Sequence, residues 1–102
     1  MKLRWTRLAL QDLENAYDYI AGDNIQTASV IAKRIDKAAR KVAMYPLIGR
    51  PGIEPGTREW VVSSTRYLLV YKITDALEIL RVWHMSQQRI GQDEYEDDSG
   101  AA

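Results

Sequence analysis

Between Pro46 and Gly56 the chain places all three of its prolines and three of its six glycines, and its hydrophobic period changes across that segment. Upstream, apolar residues recur every three or four positions, the spacing of one helical face. Downstream they crowd into short runs rich in Val, Ile, Leu and aromatic residues, the pattern of strands. A chain that switches period once, at a run that suits neither a helix interior nor a central strand, reads as α+β with helices first and a sheet after. Its 102 residues suffice for one domain with a modest core.

Lys2 to Trp5 reads as a short first strand. Thr6 can cap a helix whose Leu10, Leu13, Tyr17 and Ile20 share one face, and Gly22 is expected to end it in the left-handed conformation. Asn24 can cap a second helix. There Ala28, Ile31, Ile35, Ala38, Val42 and Tyr45 form the apolar stripe until Pro46 stops it. The short link predicts an antiparallel helical hairpin. On the outward side of the second helix stand Lys33, Arg34, Lys37, Arg40 and Lys41. They read either as a solvated face, with Asp36 and Arg40 paired one turn apart, or as a footprint for an anionic partner.

After the Pro/Gly loop, strands are expected at 59–63, 67–73 and 77–84, joined by Ser63-Ser64-Thr65 and Thr74-Asp75-Ala76 as an antiparallel meander. Alternation puts Arg58, Trp60 and Val62 on one face, and likewise Arg66 with Leu68 and Val70. It puts Leu77, Ile79, Arg81 and Trp83 together, with His84 opposite beside Leu80 and Val82. The sheet is apolar on nearly both faces. One face packs on the hairpin, and the other is covered either by a protein partner or by the chain's own loops or end.

A formal charge of zero conceals an asymmetry. Residues 92–102 carry Asp93, Glu94, Glu96, Asp97 and Asp98 and no base, so 14 Lys and Arg face 9 acids in residues 1–91, a net of +5. Residues 1–91 read as the domain, and 92–102 as an acidic tail without order. With no cysteine and a single histidine, thiolate chemistry and a histidine-rich metal site are excluded, and nothing calls for a cofactor. No apolar run approaches a membrane span, and the start lacks a signal-peptide core. The expected compartment is the cytoplasm, with no membrane partner.

His84 is the natural candidate for acid–base chemistry, against the alternative of a packing residue that closes a strand. No nucleophile motif, paired-carboxylate pattern or phosphate-binding glycine loop accompanies it. Arg58, Trp60, Arg66, Arg81, Trp83, His84 and Arg89 are the residues expected to bind a target or partner.

The order of parts over residues 1–90 resembles the RelE/ParE family of bacterial toxins: helical hairpin, GRPG loop, G-T-R-E strand, Y-x-x-V-Y strand, and I-L-R-V-x-H strand. The resemblance implies a strand–helix–helix–three-strand fold. It also implies a toxin neutralised by a cognate antitoxin in a hetero-oligomer. Two activities occur in that family: cleavage of mRNA on the ribosome, RelE-like, and poisoning of DNA gyrase, ParE-like. RelE-like chains place an arginine after the middle-strand tyrosine, where this chain has Leu68. They carry a lysine-rich strand where it has Trp60, Val61 and Val62, and a basic run with tyrosine where it has Gln87, Gln88 and Arg89. Arg81-Val82-Trp83-His84 resembles the ParE-like branch. The expectation is therefore a gyrase poison rather than an enzyme. The alternatives are a ribosome-dependent endoribonuclease using His84 with Arg58, Arg66, Arg81 or Arg89, and a non-toxic binding module of the same fold.

Overall fold

The computed structural model describes residues 1–86, so the expectations for Arg89 and for the acidic tail fall outside the described residues. The elements run β1 (Leu3–Trp5), α1 (Arg7–Ala21), α2 (Ile25–Met44), β2 (Arg50–Pro51), β3 (Thr57–Val61), β4 (Tyr67–Ile73) and β5 (Leu77–His84). Both expected caps form. Thr6 Oγ1 accepts from the Ala9 amide at 3.2 Å and Asn24 Oδ1 from the Thr27 amide at 3.0 Å, each satisfying a first-turn donor that the helix itself cannot. Gly22 corrects the expectation made for it. It sits at φ −59°, ψ −25°, within the right-handed region, and its amide still donates to Asp18. The turn to Asn24 is closed by the Asp23 and Asn24 amides on the Ile20 carbonyl, so no left-handed residue is needed.

The sheet has five strands in the order β1-β5-β4-β3-β2. The meander β3-β4-β5 is antiparallel as expected, β1 adds parallel to β5, and β2 is an addition the sequence did not announce. The Pro/Gly segment hides it, because a two-residue edge strand containing Pro51 leaves no alternation to read. Gly56, at φ +83°, turns the chain from β2 into β3.

Ala9, Ala16, Ile35, Ala39, Val42 and Ala43 of the helices meet Tyr67, Leu69, Tyr71, Leu77, Ile79 and Val82 of the sheet in one core. Small residues on the helices let the hairpin approach closely, and the bulk comes from the sheet. A β-bulge corrects the expected faces of β5. Tyr71 pairs with Ile79 but Val70 pairs with Arg81, so Leu80 is the extra residue and the alternation flips after it. Leu77 and Ile79 therefore face the helices together with Val82, while Arg81 and Trp83 emerge on the opposite face.

That opposite face is graded rather than uniformly apolar. Leu68 lies in register between Val61 and Trp83, Val70 between Glu59 and Arg81, and Lys72 between Thr57 and Glu78. Leu68 and Val70 are buried and Val61 is exposed, so apolar character gathers at the end of the sheet where β3 and β5 finish.

Candidate interaction surface

Arg81 is held at a strand edge. β1 covers β5 only across Leu77 to Ile79, and α1 takes over beyond that point. Thr6 Oγ1 donates towards the Ile79 carbonyl at 2.9 Å, and Asp12 Oδ2 accepts the Val82 amide at 3.0 Å. A helix carboxylate thus occupies the place a strand would have filled, which blunts an otherwise open edge. The same carboxylate takes a forked pair from Arg81, Nε to Oδ2 at 2.8 Å and Nη2 to Oδ1 at 3.0 Å. The bond to Asp12 raises the Arg81 pKa further, against the opposing pull of burial. The guanidinium carbon also lies 5.3 Å from the centre of the Trp83 ring, on the same face.

Arg58 is committed elsewhere. It points to the helix side and donates to the Gly49 carbonyl at 2.7 Å, which fixes the Pro/Gly loop. Beside it Tyr71, fully buried, accepts the Gly49 amide at 3.0 Å and donates to the Pro46 carbonyl at 2.7 Å. Burial raises the Tyr71 pKa above its ordinary value, while the Gly49 bond and Arg58 pull it the other way. Gly49 is required here because a Cβ would lie 2.6 Å from the Tyr71 hydroxyl and 2.8 Å from the Glu59 carbonyl. The sequence marked Arg58 as a binding residue, and its guanidinium ties the Pro/Gly loop to β3 through the Gly49 carbonyl.

Trp60 also points to the helix side, where Lys41 Nζ lies 5.5 Å from its ring centre. It forms the wall of a cleft of about 410 Å³ lined by Arg34, Lys37, Ala38 and Lys41 of α2 and by Val61, Ser63 and Ser64 beyond it. Arg34 Nη1 donates to the Ser64 carbonyl at 3.1 Å, tying α2 to a turn in which Ser64 adopts φ 60°. The sequence showed the basic stripe. What it lacked was the register that sets Trp60 against it.

His84 faces the helices, edge-on to Tyr67 with ring centres 5.1 Å apart. The Ser86 amide donates to His84 Nδ1 at 3.1 Å. With Asp12, Asn15, Tyr19, Tyr67 and Val82 it lines a second cleft, of about 350 Å³, between α1 and the end of the sheet. Arg66 is exposed in the β3–β4 connection, and its carbonyl accepts the Met85 amide at 2.7 Å. The expected residues therefore do not converge: Arg58 and Trp60 face α2, Arg81 and Trp83 face away, and His84 closes the α1 side. Asp12 and Tyr71, which organise two of these positions, carried no signal in the sequence beyond being polar groups near apolar stripes. Among the described residues no group of His, Asp and Glu could hold a metal ion.

A strand–hairpin–sheet domain of this kind has recognised relatives. Residues 3–89 match the family described as the ParE toxin of the type II toxin–antitoxin system parDE. The chain belongs to the ParE toxin family. It is similar to a chain named as a candidate toxin, Y4kP, of Sinorhizobium fredii (strain NBRC 101917 / NGR234). The two are 39% identical over 87 residues, covering 85% of this chain and 91% of that relative. Its fold matches a chain of the chromosomal ParDE toxin–antitoxin system from P. aeruginosa with a TM-score of 0.74 at 25% identity, over 82% of this chain and 95% of that one. Among the described residues no helix is long and apolar enough to cross a membrane.

Proposed function

We propose that this chain acts as a cytoplasmic toxin that inhibits DNA gyrase by binding it, and that a cognate antitoxin neutralises it by covering the same surface. The observation that carries the binding reading is the dispersal of the cations. Arg81 is forked onto Asp12 and Arg58 onto the Gly49 carbonyl, and Arg81 and His84 leave β5 on opposite faces. Phosphodiester cleavage needs cationic groups and an acid–base group converging on one phosphate, and these side chains do not converge. Membership of the ParE family supports gyrase as the target. An exposed Val61 and Met85 at the apolar end of the sheet, near the basic cleft, offer an antitoxin both apolar anchors and charge.

The test is plasmid supercoiling by purified gyrase with the chain added alone and with the product of the neighbouring antitoxin gene. Inhibition relieved by the antitoxin is the expected result. Unimpaired supercoiling, together with rapid codon-phased loss of mRNA in cells, would sink the gyrase reading. His84→Gln separates the two activities further. As a general acid or base it would cost about 10²–10⁴ in cleavage rate, whereas gyrase inhibition should change by less than about threefold.

A further inference from the structure

From Lys33 to Lys41 every exposed residue of α2 is a base: Lys33, Arg34, Lys37, Arg40 and Lys41. At about 100° per residue they share roughly a third of the helix circumference, opposite the buried Ile35, Ala39 and Val42. Among the described residues Arg40 pairs with Asp36, and the other four have no ion pair. Lys2, Arg7, Arg58, Arg66 and Lys72 also lack one, but each of these stands on a different part of the chain. What distinguishes α2 is that its bases are aligned. Its partner α1 has the opposite balance, with Asp12, Glu14 and Asp18 against Arg7.

The chemistry beside the stripe narrows the kind of polyanion it fits. Arg34, Lys37 and Lys41 form one wall of the cleft of about 410 Å³, Ser63 and Ser64 stand on the other, and no carboxylate lines it. Lys, Arg and hydroxyl side chains are the groups that take phosphate oxygens. Along the helix axis Arg34 and Lys41 lie about 10.5 Å apart, with Lys37 between them. That spans about three steps of one DNA strand, which carries a charge every 3.4 Å or so of duplex axis. A helical peptide partner would need apolar anchors at helical spacing, and Val61 is the one exposed apolar side chain lining the cleft. A single strand would need aromatic faces for its bases. The ring of Trp60 instead has Lys41 over it and packs against the core.

We propose that the basic face of α2 binds the sugar–phosphate backbone of duplex DNA. Lys33, Arg34, Lys37 and Lys41 meet successive phosphates, and the hydroxyls of Ser63 and Ser64 close the cleft over the strand edge. The acids of α1 repel the same polyanion, so the hairpin approaches DNA with α2 foremost. Contacts of this kind carry no base sequence, so binding is indifferent to it. It holds whether or not gyrase is the target.

The test is fluorescence anisotropy of a short labelled duplex titrated with the full-length chain, without gyrase or antitoxin. Releasing counterions from about four phosphates gives a slope near −3.6 in log affinity against log salt. Affinity should therefore fall about 150-fold from 50 mM to 200 mM salt. Lys33→Gln and Lys37→Gln should each reduce that slope by about 0.9. Arg7→Gln on α1 and Lys72→Gln on the sheet face away from the helices remove the same charge and should leave it unchanged. None of the four residues belongs to the core. Equal losses from all four would reveal a diffuse field rather than a site and would overturn the proposal. So would an absence of binding, or tighter binding to single-stranded DNA or to duplex RNA. Equal binding of a polyglutamate of matched charge would also overturn it, by making the stripe a surface for acidic protein.

Discussion

At the end of the sheet where β3 begins, Tyr71, Arg58 and Gly49 turn their polar groups onto the chain itself, and the loop from Pro46 is bonded down atom by atom. At the opposite end, where β3 and β5 finish, the same strands open into two clefts walled by Trp60 and by His84, with cations facing solvent. Both ends bear arginine and aromatic residues. They differ in that Arg58 at the closed end is bonded to a carbonyl of the chain, whereas Lys37 and Lys41 at the open end have no ion pair among the described residues. One end is closed by the chain's own hydrogen bonds, and the other leaves two clefts open to solvent. The bulge at Leu80 separates them, letting β5 pack Leu77 and Ile79 against the helices while turning Arg81 and Trp83 outward.

The largest effect that would test this contrast is at Gly49. Gly49→Ala drives a methyl against a buried phenol and a backbone carbonyl, neither of which can swing aside. We expect a loss of about 3 kcal/mol in denaturant unfolding, at the upper end of overpacking costs. If the variant unfolds at the wild-type denaturant concentration, the closed end is not where stability resides.

Tyr71→Phe comes next. It leaves the Gly49 amide and the Pro46 carbonyl without their partner and should cost about 2 kcal/mol. It also carries a pH signature. Burial raises the folded-state pKa of Tyr71, so its contribution is fully present below the ordinary tyrosine value and is lost as pH rises through the raised one. Wild-type stability should therefore fall above about pH 10, and the fall should be shallower in Tyr71→Phe. Tyr67, shifted upward by burial and by Tyr19, leaves part of the slope in place. An unchanged alkaline slope would remove Tyr71 from that account.

Asp12 sits between the two regimes, because it joins the α1 side of the open end to β5. Asp12→Ala strands the Val82 amide and releases Arg81, whose partial exposure limits what the charge itself contributes. We expect a cost of about 1.5 kcal/mol. Asp12→Asn keeps an acceptor for Val82 and should recover roughly half of that. Equal costs for the two variants would mean that the charge, not the edge hydrogen bond, matters.

These residues also mark how far the sequence could be read. The helices, their caps and the three main strands were legible because period and capping chemistry are local. Gly22 misled because a glycine after a helix usually signals a left-handed residue, yet here the Asp23 and Asn24 amides close the turn on Ile20. Gly22→Ala should consequently raise stability by about 0.5 kcal/mol, where a left-handed glycine would have been harmed by it. The faces of Arg81 and Trp83 were misassigned because a bulge is a property of two strands in register and leaves no mark in one. Asp12 and Tyr71 were invisible for a related reason, since their partners lie far away along the chain. The basic stripe of α2 was visible, but its pairing with Trp60 was not.

The smallest effect on stability should come from that stripe, and it sharpens the contrast most. Lys41→Gln removes a cation lying over Trp60 at a solvent-exposed cleft, where such contacts contribute about 0.5 kcal/mol. Unfolding should therefore shift by no more than that, and Trp60 emission should change without a change in folded content. If the open end serves binding, the same substitution should weaken antitoxin or gyrase engagement by several-fold, although it costs the fold almost nothing. A variant that loses stability in step with binding would show that the basic cleft belongs to the scaffold after all, and the division between the two ends would fail.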